Sequence, residues 1–130
     1  METIYGIGID IVETRRVEAS IRDYGERFLD RLFTPGERSY CESMHYAARH
    51  FAARFAAKEA IAKAFGTGIG TDLAWRDMEI LRDGLGCPHV ALSGRGALFA
   101  ERTGIVEVKI SLSHAEDYAA AHALALSRAD

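Results

Sequence analysis

The sequence predicts an α+β domain in which helices group on one side of a small antiparallel sheet. Three observations lead there. Period-2 alternation marks segments near both ends of the chain, at 4–12 and 106–112. A long stretch at 47–65 has helical composition and stops at Gly66. The turn-rich run Asp83-Gly84-Leu85-Gly86 separates two short apolar segments, as a hairpin requires. A chain of 130 residues suits one hydrophobic core, so 1–130 reads as a single domain.

Taken in order, Ile4 to Val12 puts Tyr5, Ile7, Ile9 and Ile11 on one face of a strand and Gly6, Gly8 and Asp10 on the other. Val17 to Leu32 reads as one helix, with Val17, Ile21, Tyr24, Phe28, Leu29 and Leu32 along a stripe. Thr34-Pro35-Gly36-Glu37 opens the next helix: Thr34 as N-cap, Pro35 at the first helical position, Glu37 completing a capping box. The 47–65 helix is apolar nearly all the way round, through Phe51, Phe55, Ile61, Phe65 and many alanines. Such a helix is either buried centrally or packed against another subunit. Gly66 to Gly70 is a glycine loop. Met78–Leu81 and His89–Leu92 pair as strands, and Ser93 or Gly94 begins a short helix that ends at Gly104. Val106, Val108, Ile110 and Leu112 alternate with polar residues in a half-buried strand. Ala119–Leu126 closes the chain as a strand, although its alanines also suit a helix.

Composition narrows the function. With 48% apolar and 27% charged residues the chain is not disordered. No apolar run approaches the roughly 18 residues of a membrane span, and residues 1–9 have no signal-peptide character. Cys41 and Cys87 stand alone, without a metal or redox spacing, so a reduced, cytoplasmic protein is expected. The net charge of −3 argues against wholesale nucleic-acid binding. Even so, Arg outnumbers Lys by 13 to 3, and residues 38–63 hold five cations (Arg38, Arg49, Arg54, Lys58, Lys63) against two acids. That local excess points to an anionic ligand.

Asp10 lies on the bare glycine face, where a ligand or another backbone has room to approach; a cap on the following helix is the alternative. Glu59 sits among Ala and Phe, a costly place for a lone carboxylate. Lys63 is about 40° from it round the helix, so an ordinary i,i+4 pair competes with any functional reading. Two carboxylates from different elements beside an anion describe a Mg²⁺ site, with Arg54 and Lys63 meeting phosphates. Arg54 is about 140° from Glu59 and must serve another part of a large ligand, or a neighbouring subunit. The Gly66–Gly70 loop either offers N–H groups to an anion or simply stops the helix. His114 is either a phosphate donor, a base, or a structural hydrogen bonder.

Together these segments resemble the holo-acyl-carrier-protein synthase family, the compact bacterial class of 4′-phosphopantetheinyl transferases. The resemblance rests on Ile4-Tyr5-Gly6-Ile7-Gly8-Ile9-Asp10-Ile11, on Arg54-Phe55-Ala56-Ala57-Lys58-Glu59-Ala60, and on Lys63-Ala64-Phe65-Gly66-Thr67-Gly68-Ile69-Gly70. Ser111-Leu112-Ser113-His114 before Tyr118-Ala119-Ala120-Ala121 supports it, with Cys87 and Arg76 as departures from the family pattern. It implies transfer of 4′-phosphopantetheine from coenzyme A to a serine of apo-acyl carrier protein, a step in fatty acid biosynthesis that leaves adenosine 3′,5′-bisphosphate. It further implies Mg²⁺ at Asp10 and Glu59, catalytic roles for Glu59 and Lys63, and a homotrimer. Coenzyme A would be bound by Arg54, Lys63, Gly66, Gly68 and His114. The acidic carrier protein would dock on Arg15, Arg16, Arg22 and Arg27, although interleaved acids also suit a plain solvated face. The residues by themselves also suit a Mg²⁺-dependent hydrolase of a coenzyme A or nucleotide diphosphate, or a non-catalytic coenzyme A-binding module.

Overall fold

The computed structural model describes residues 1–128; the last two residues of the expected 1–130 domain lie outside the described residues. Strand β1 (Glu2–Glu13) leads into helices α1 (Thr14–Tyr24), α2 (Glu26–Leu32), α3 (Pro35–Glu42) and the long α4 (Ala47–Phe65). A short 3₁₀ turn (Trp75–Asp77) precedes the hairpin β2 (Met78–Arg82) and β3 (Pro88–Leu92), after which come α5 (Gly94–Thr103), β4 (Ile105–His114) and β5 (Tyr118–Arg128). The chain is α+β as expected, with two antiparallel sheets instead of one: β1-β5-β4 and the separate β2-β3 pair.

The helix expected over 17–32 is two helices. Gly25, at φ +55, ends α1 by donating its N–H to Ile21 O and begins α2 at a new angle. Thr34 behaves as its spacing predicts: its Oγ1 accepts from Glu37 N, and the Glu37 carboxylate accepts from Thr34 N. The last segment is a strand, because it pairs along its length with both β1 and β4.

Helix α4 is the centre of the molecule, enclosed by the three-stranded sheet on one side and the shorter helices on others. Its all-round apolar character is therefore satisfied within one chain, which is the central burial that the sequence offered as one of two alternatives. Close packing on the sheet requires small residues. Ala119, Ala121, Ala123 and Ala125 of β5 face inward, and β1 presents glycines. A Cβ on Gly6 would lie 2.0 Å from Ala64 O, and one on Gly8 would lie 1.9 Å from Ala60 O. The bare face of β1 is thus filled by the α4 backbone. The isoleucine face points away from the chain's core: Ile7, Ile9 and Ile11 are 62%, 68% and 67% exposed.

A buried ion pair ties the helices to the hairpin. Lys58 Nζ donates to Glu37 Oε1 (2.7 Å), Leu32 O (2.6 Å) and Trp75 O (3.2 Å), matching its three protons to three acceptors. Glu37 Oε2 accepts from Ile80 N at 2.8 Å. Both side chains are fully buried. Removing one partner would leave an uncompensated buried charge, costing about 3–5 kcal/mol.

Gly8→Ala should destabilise the protein by about 3 kcal/mol, because backbone, not a flexible side chain, blocks the added methyl. Gly70→Ala, where a Cβ meets nothing within 4 Å, is the control. Thermal or urea melts that leave Gly8→Ala level with the control would refute the close approach.

Candidate functional site

The β1–α4 contact aligns the sequence's two candidate carboxylates. Asp10 follows Gly8 on the inward face of β1, and Glu59 lies on α4 beside Ala60. Asp10 does not cap α1: Glu13 occupies the N-cap, with no side-chain cap hydrogen bond. Instead Asp10 Oδ1 accepts from Lys63 Nζ at 3.1 Å, while the same ammonium donates to Ile9 O at 2.9 Å. The expected i,i+4 pair of Glu59 with Lys63 is thus replaced by a cross-element pair with Asp10. Glu59 is left with burial as the main influence on its carboxyl, which rises above its ordinary pKa; the Asp10 charge pushes the same way and Lys63 opposes. Two crowded oxygen donors with one ammonium nearby form a site that a hard cation relieves, so the residues present fit Mg²⁺. Among the described residues no cluster of three or more His, Cys, Asp or Glu side chains suits a metal.

These carboxylates open onto a groove of about 350 Å³ lined by Asp10, Val12, Arg16, Ser20, Phe28, Phe55 and Glu59. It shares Ser20, Phe28 and Phe55 with a second depression of about 490 Å³, bordered by Tyr24, Arg27, Arg31 and Trp75. Arg16 and Arg27 therefore stand along one path leading to the carboxylates. Arg15 and Arg22 are exposed and engage neighbouring acids, Glu13 and Asp23. A larger cavity of about 790 Å³ holds Glu13, Glu18, Glu116 and Asp117 with Arg15, Arg49 and Tyr46, and none of Asp10, Glu59 or Lys63. Size alone would mislead here, since that cavity lacks the paired carboxylates and the lysine.

The three glycine amides of the loop are used within the chain. Gly66 N donates to Ala62 O and Lys63 O, Gly68 N to Ala62 O, and Gly70 N to Leu73 O. Gly66 and Gly68 lie at φ +79 and +65, so they close α4 with left-handed turns. The Gly66 and Gly68 amides thus close the helix, the helix stop being one of the two alternatives that the sequence left open.

Charge excess was also a partial guide. Lys58 is internal, and Arg38 is engaged by Glu26, Asp30 and Glu42. Arg54 differs: it is 1% exposed, pairs with no carboxylate among the described residues, and leaves its Nε without a hydrogen-bond partner. Its guanidinium lies 4.5 Å over the Tyr40 ring, and its Nη1 donates to His50 O at 3.3 Å. Arg82 approaches the same ring at 5.6 Å. His50 and His114 meet edge to face, ring centroids 4.8 Å apart. Burial holds both imidazoles below their ordinary pKa. For His50 the neighbouring His114 acts next and then Arg54, Arg82 and Arg49; for His114 Arg49 comes next, then Arg82 and Arg54. This basic cluster brings together two predicted residues, Arg54 and His114, and separates them from Asp10 and Glu59. Sequence reasoning counted Arg49 in the local cation excess but missed Tyr40, His50 and Arg82 as members of the cluster. The i,i+4 spacing of His50 and Arg54 was the one visible signal.

Glu59 gives a pH signature. Its proton is held more tightly in the folded chain than in the unfolded one. Its favourable contribution is therefore complete below the unfolded carboxylate pKa and is lost as pH rises through the raised folded value. In chelator-treated buffer, the Tm of Glu59→Gln should gain on wild type between about pH 4 and about pH 7, with Mg²⁺ narrowing the gap. A difference independent of pH would disprove the raised carboxyl pKa of Glu59.

Comparison with known proteins connects this geometry to a family. A family model described as the 4′-phosphopantetheinyl transferase superfamily matches residues 6–123. A protein named holo-[acyl-carrier-protein] synthase from Ruminiclostridium cellulolyticum is 45% identical over 119 residues, spanning 91% of this chain and 89% of its own. The crystal structure of a holo-[acyl-carrier-protein] synthase from Neisseria meningitidis aligns with a TM-score of 0.89 at 37% identity, covering 95% of this chain and 98% of that one. A Helicobacter pylori holo-[acyl-carrier-protein] synthase, solved in complex with coenzyme A, aligns at 0.82 and 31% identity over 92% and 98% of the two chains.

Proposed function

This chain belongs to the 4′-phosphopantetheinyl transferase superfamily, and we infer its reaction from that membership. It is a holo-acyl-carrier-protein synthase in activity: it transfers the 4′-phosphopantetheine of coenzyme A to a serine hydroxyl of apo-acyl carrier protein and releases adenosine 3′,5′-bisphosphate. The observation that carries the site assignment is the meeting of Asp10, Glu59 and Lys63 where β1 crosses α4. We assign the whole chain to one transferase domain working in the cytoplasm.

Asp10 and Glu59 would hold Mg²⁺, which supplies neutralisation of the coenzyme A diphosphate when bound. In the transfer, the serine oxygen forms a bond to the phosphorus that carries pantetheine, and the bond from that phosphorus to the adenosine-side oxygen breaks. Lys63, half-exposed beside Asp10, would neutralise the charge that grows on the leaving phosphate. The serine proton would pass to Glu59 or to a water beside it. Arg54 and His114 would meet another phosphate of the same ligand. The acidic carrier protein would approach along the groove, with Arg16 and Arg27 facing it and the exposed Arg22 contributing from the same helix α1 as Arg16. Mass spectrometry of an apo-carrier protein incubated with coenzyme A, Mg²⁺ and this protein should record the gain of one phosphopantetheine. Asp10→Ala and Glu59→Ala should each lower the rate by at least about 10²-fold. Hydrolysis of coenzyme A without carrier modification would instead indicate a hydrolase.

The active assembly is a homotrimer in this proposal, and the exposed face of the β1-β5-β4 sheet supports it. Ile7, Ile9 and Ile11 stand opposite Leu124, His122 and Ala120 in register, a continuous face too apolar to leave in water. A second copy covering that face also gives Arg54 and His114 a route to a ligand seated on a neighbour's carboxylates. Light scattering of wild type should give three times the 14.3 kDa chain mass, and Ile9→Asp should give a folded, inactive monomer. An active wild-type monomer would exclude the trimer.

A further inference from the structure

The basic cluster has two features that a structural role does not explain. Arg54 is a buried cation without a counter-anion among the described residues, a state that costs several kcal/mol in a protein interior. Beside it, His50 Nδ1 is also enclosed and unpartnered, although its ring lies directly against His114. The groups facing His50 are cationic or neutral on every element around it. Arg49 and Arg54 flank it on α4, Arg82 comes from β2, His114 from β4, and the Tyr40 ring stands 5.8 Å away on α3. Glu42, at the end of α3, is held by Arg38 at 3.3 Å. Cys41 is kept as a thiol by burial, with its pKa pushed up to about 12. Three guanidinium groups and two imidazoles therefore converge. Although Arg49 also borders the cavity that holds Glu13, Glu18, Glu116 and Asp117, the charges acting on His50 are those of Arg54, Arg82, Arg49 and His114, the complement of a phosphate dianion.

We propose that His50 is a positioning residue for the 3′-phosphate of coenzyme A, acting through His114: the two imidazoles are neutral in the empty site and together take up a proton from solvent when the phosphate enters. This rests on the coenzyme A-binding reading above. A monoester dianion is favoured over the diphosphate because its double charge, concentrated on three oxygens, suits five converging donors. In the empty site the neighbouring arginines disfavour the imidazolium. A bound dianion reverses that field, so binding should tighten as pH falls.

Calorimetric titration separates the possibilities. Coenzyme A and 3′-dephospho-coenzyme A are titrated at about pH 7.5, where the monoester is largely dianionic, in buffers of different ionisation enthalpy. Wild type should take up protons with coenzyme A and essentially none with the dephospho form. His50→Phe keeps an aromatic ring without the titration; it should lose about half of that uptake and flatten the pH dependence of coenzyme A affinity. His50→Gln provides the same test if the phenyl ring does not seat. Equal uptake with both ligands, or undiminished uptake in both variants, overturns the proposal while leaving coenzyme A binding intact. Binding of neither ligand by wild type overturns it together with the coenzyme A reading.

Discussion

The site depends on one steric constraint: the β1 backbone must lie against the α4 backbone with no side chain between them. Gly6 and Gly8 satisfy it, and the alanines of β5 extend it across the sheet. Small-on-small packing forgoes the burial energy of large side chains but brings two rigid elements to near-contact, with dispersion spread along their lengths. That rigidity sets Asp10 beside Glu59. The two carboxylates belong to different elements, so neither local sequence nor helix periodicity holds them together. Lys63 completes the arrangement by donating across the same contact to the Ile9 carbonyl and the Asp10 carboxylate.

Charge inside this protein divides into two kinds. Lys58 and Glu37 form a saturated pair, every proton and acceptor matched, and the pair fixes α4, α3 and β2 relative to one another. Burial lowers the Lys58 pKa, and the Glu37 carboxylate counters it, the balance a structural ion pair needs to remain charged. Arg54 has the same burial without the same satisfaction. The motif residues Arg54, Lys58 and Glu59 share one helix but do three jobs, because the helix turns each toward a different neighbour: Tyr40 and His50, Glu37, and Asp10.

The outward face of the three-stranded sheet follows from the same constraint. Alternation along β1 demands one apolar and one bare face, and a lone soluble strand would bury the isoleucines. Here the bare face is buried, because only glycine admits the α4 backbone, and the isoleucines turn outward as a consequence of period-2 geometry. An apolar face left over by a fixed internal contact is what supports the proposed association.

Much of the fold was legible locally. The capping box at Thr34 and Glu37, the stop at Gly66, and the alternation of β1 and β4 are each determined within a few residues by hydrogen bonding and side-chain period. The break at Gly25 was not, because the apolar stripe runs straight through it and only the φ of that residue divides α1 from α2. For the site, the sequence by itself determined the residue types and the unusual placement of Asp10 and Glu59, since glycine and alanine neighbours left them conspicuous. Only the tertiary structure decided which charges meet. It gave Lys63 to Asp10, enclosed Lys58, used the Gly66, Gly68 and Gly70 amides within the chain, and gathered Arg54, Arg82, His50 and His114 from three separate elements. Pairing between charges distant in sequence depends on how elements cross, and here that crossing is set by the absence of two β-carbons.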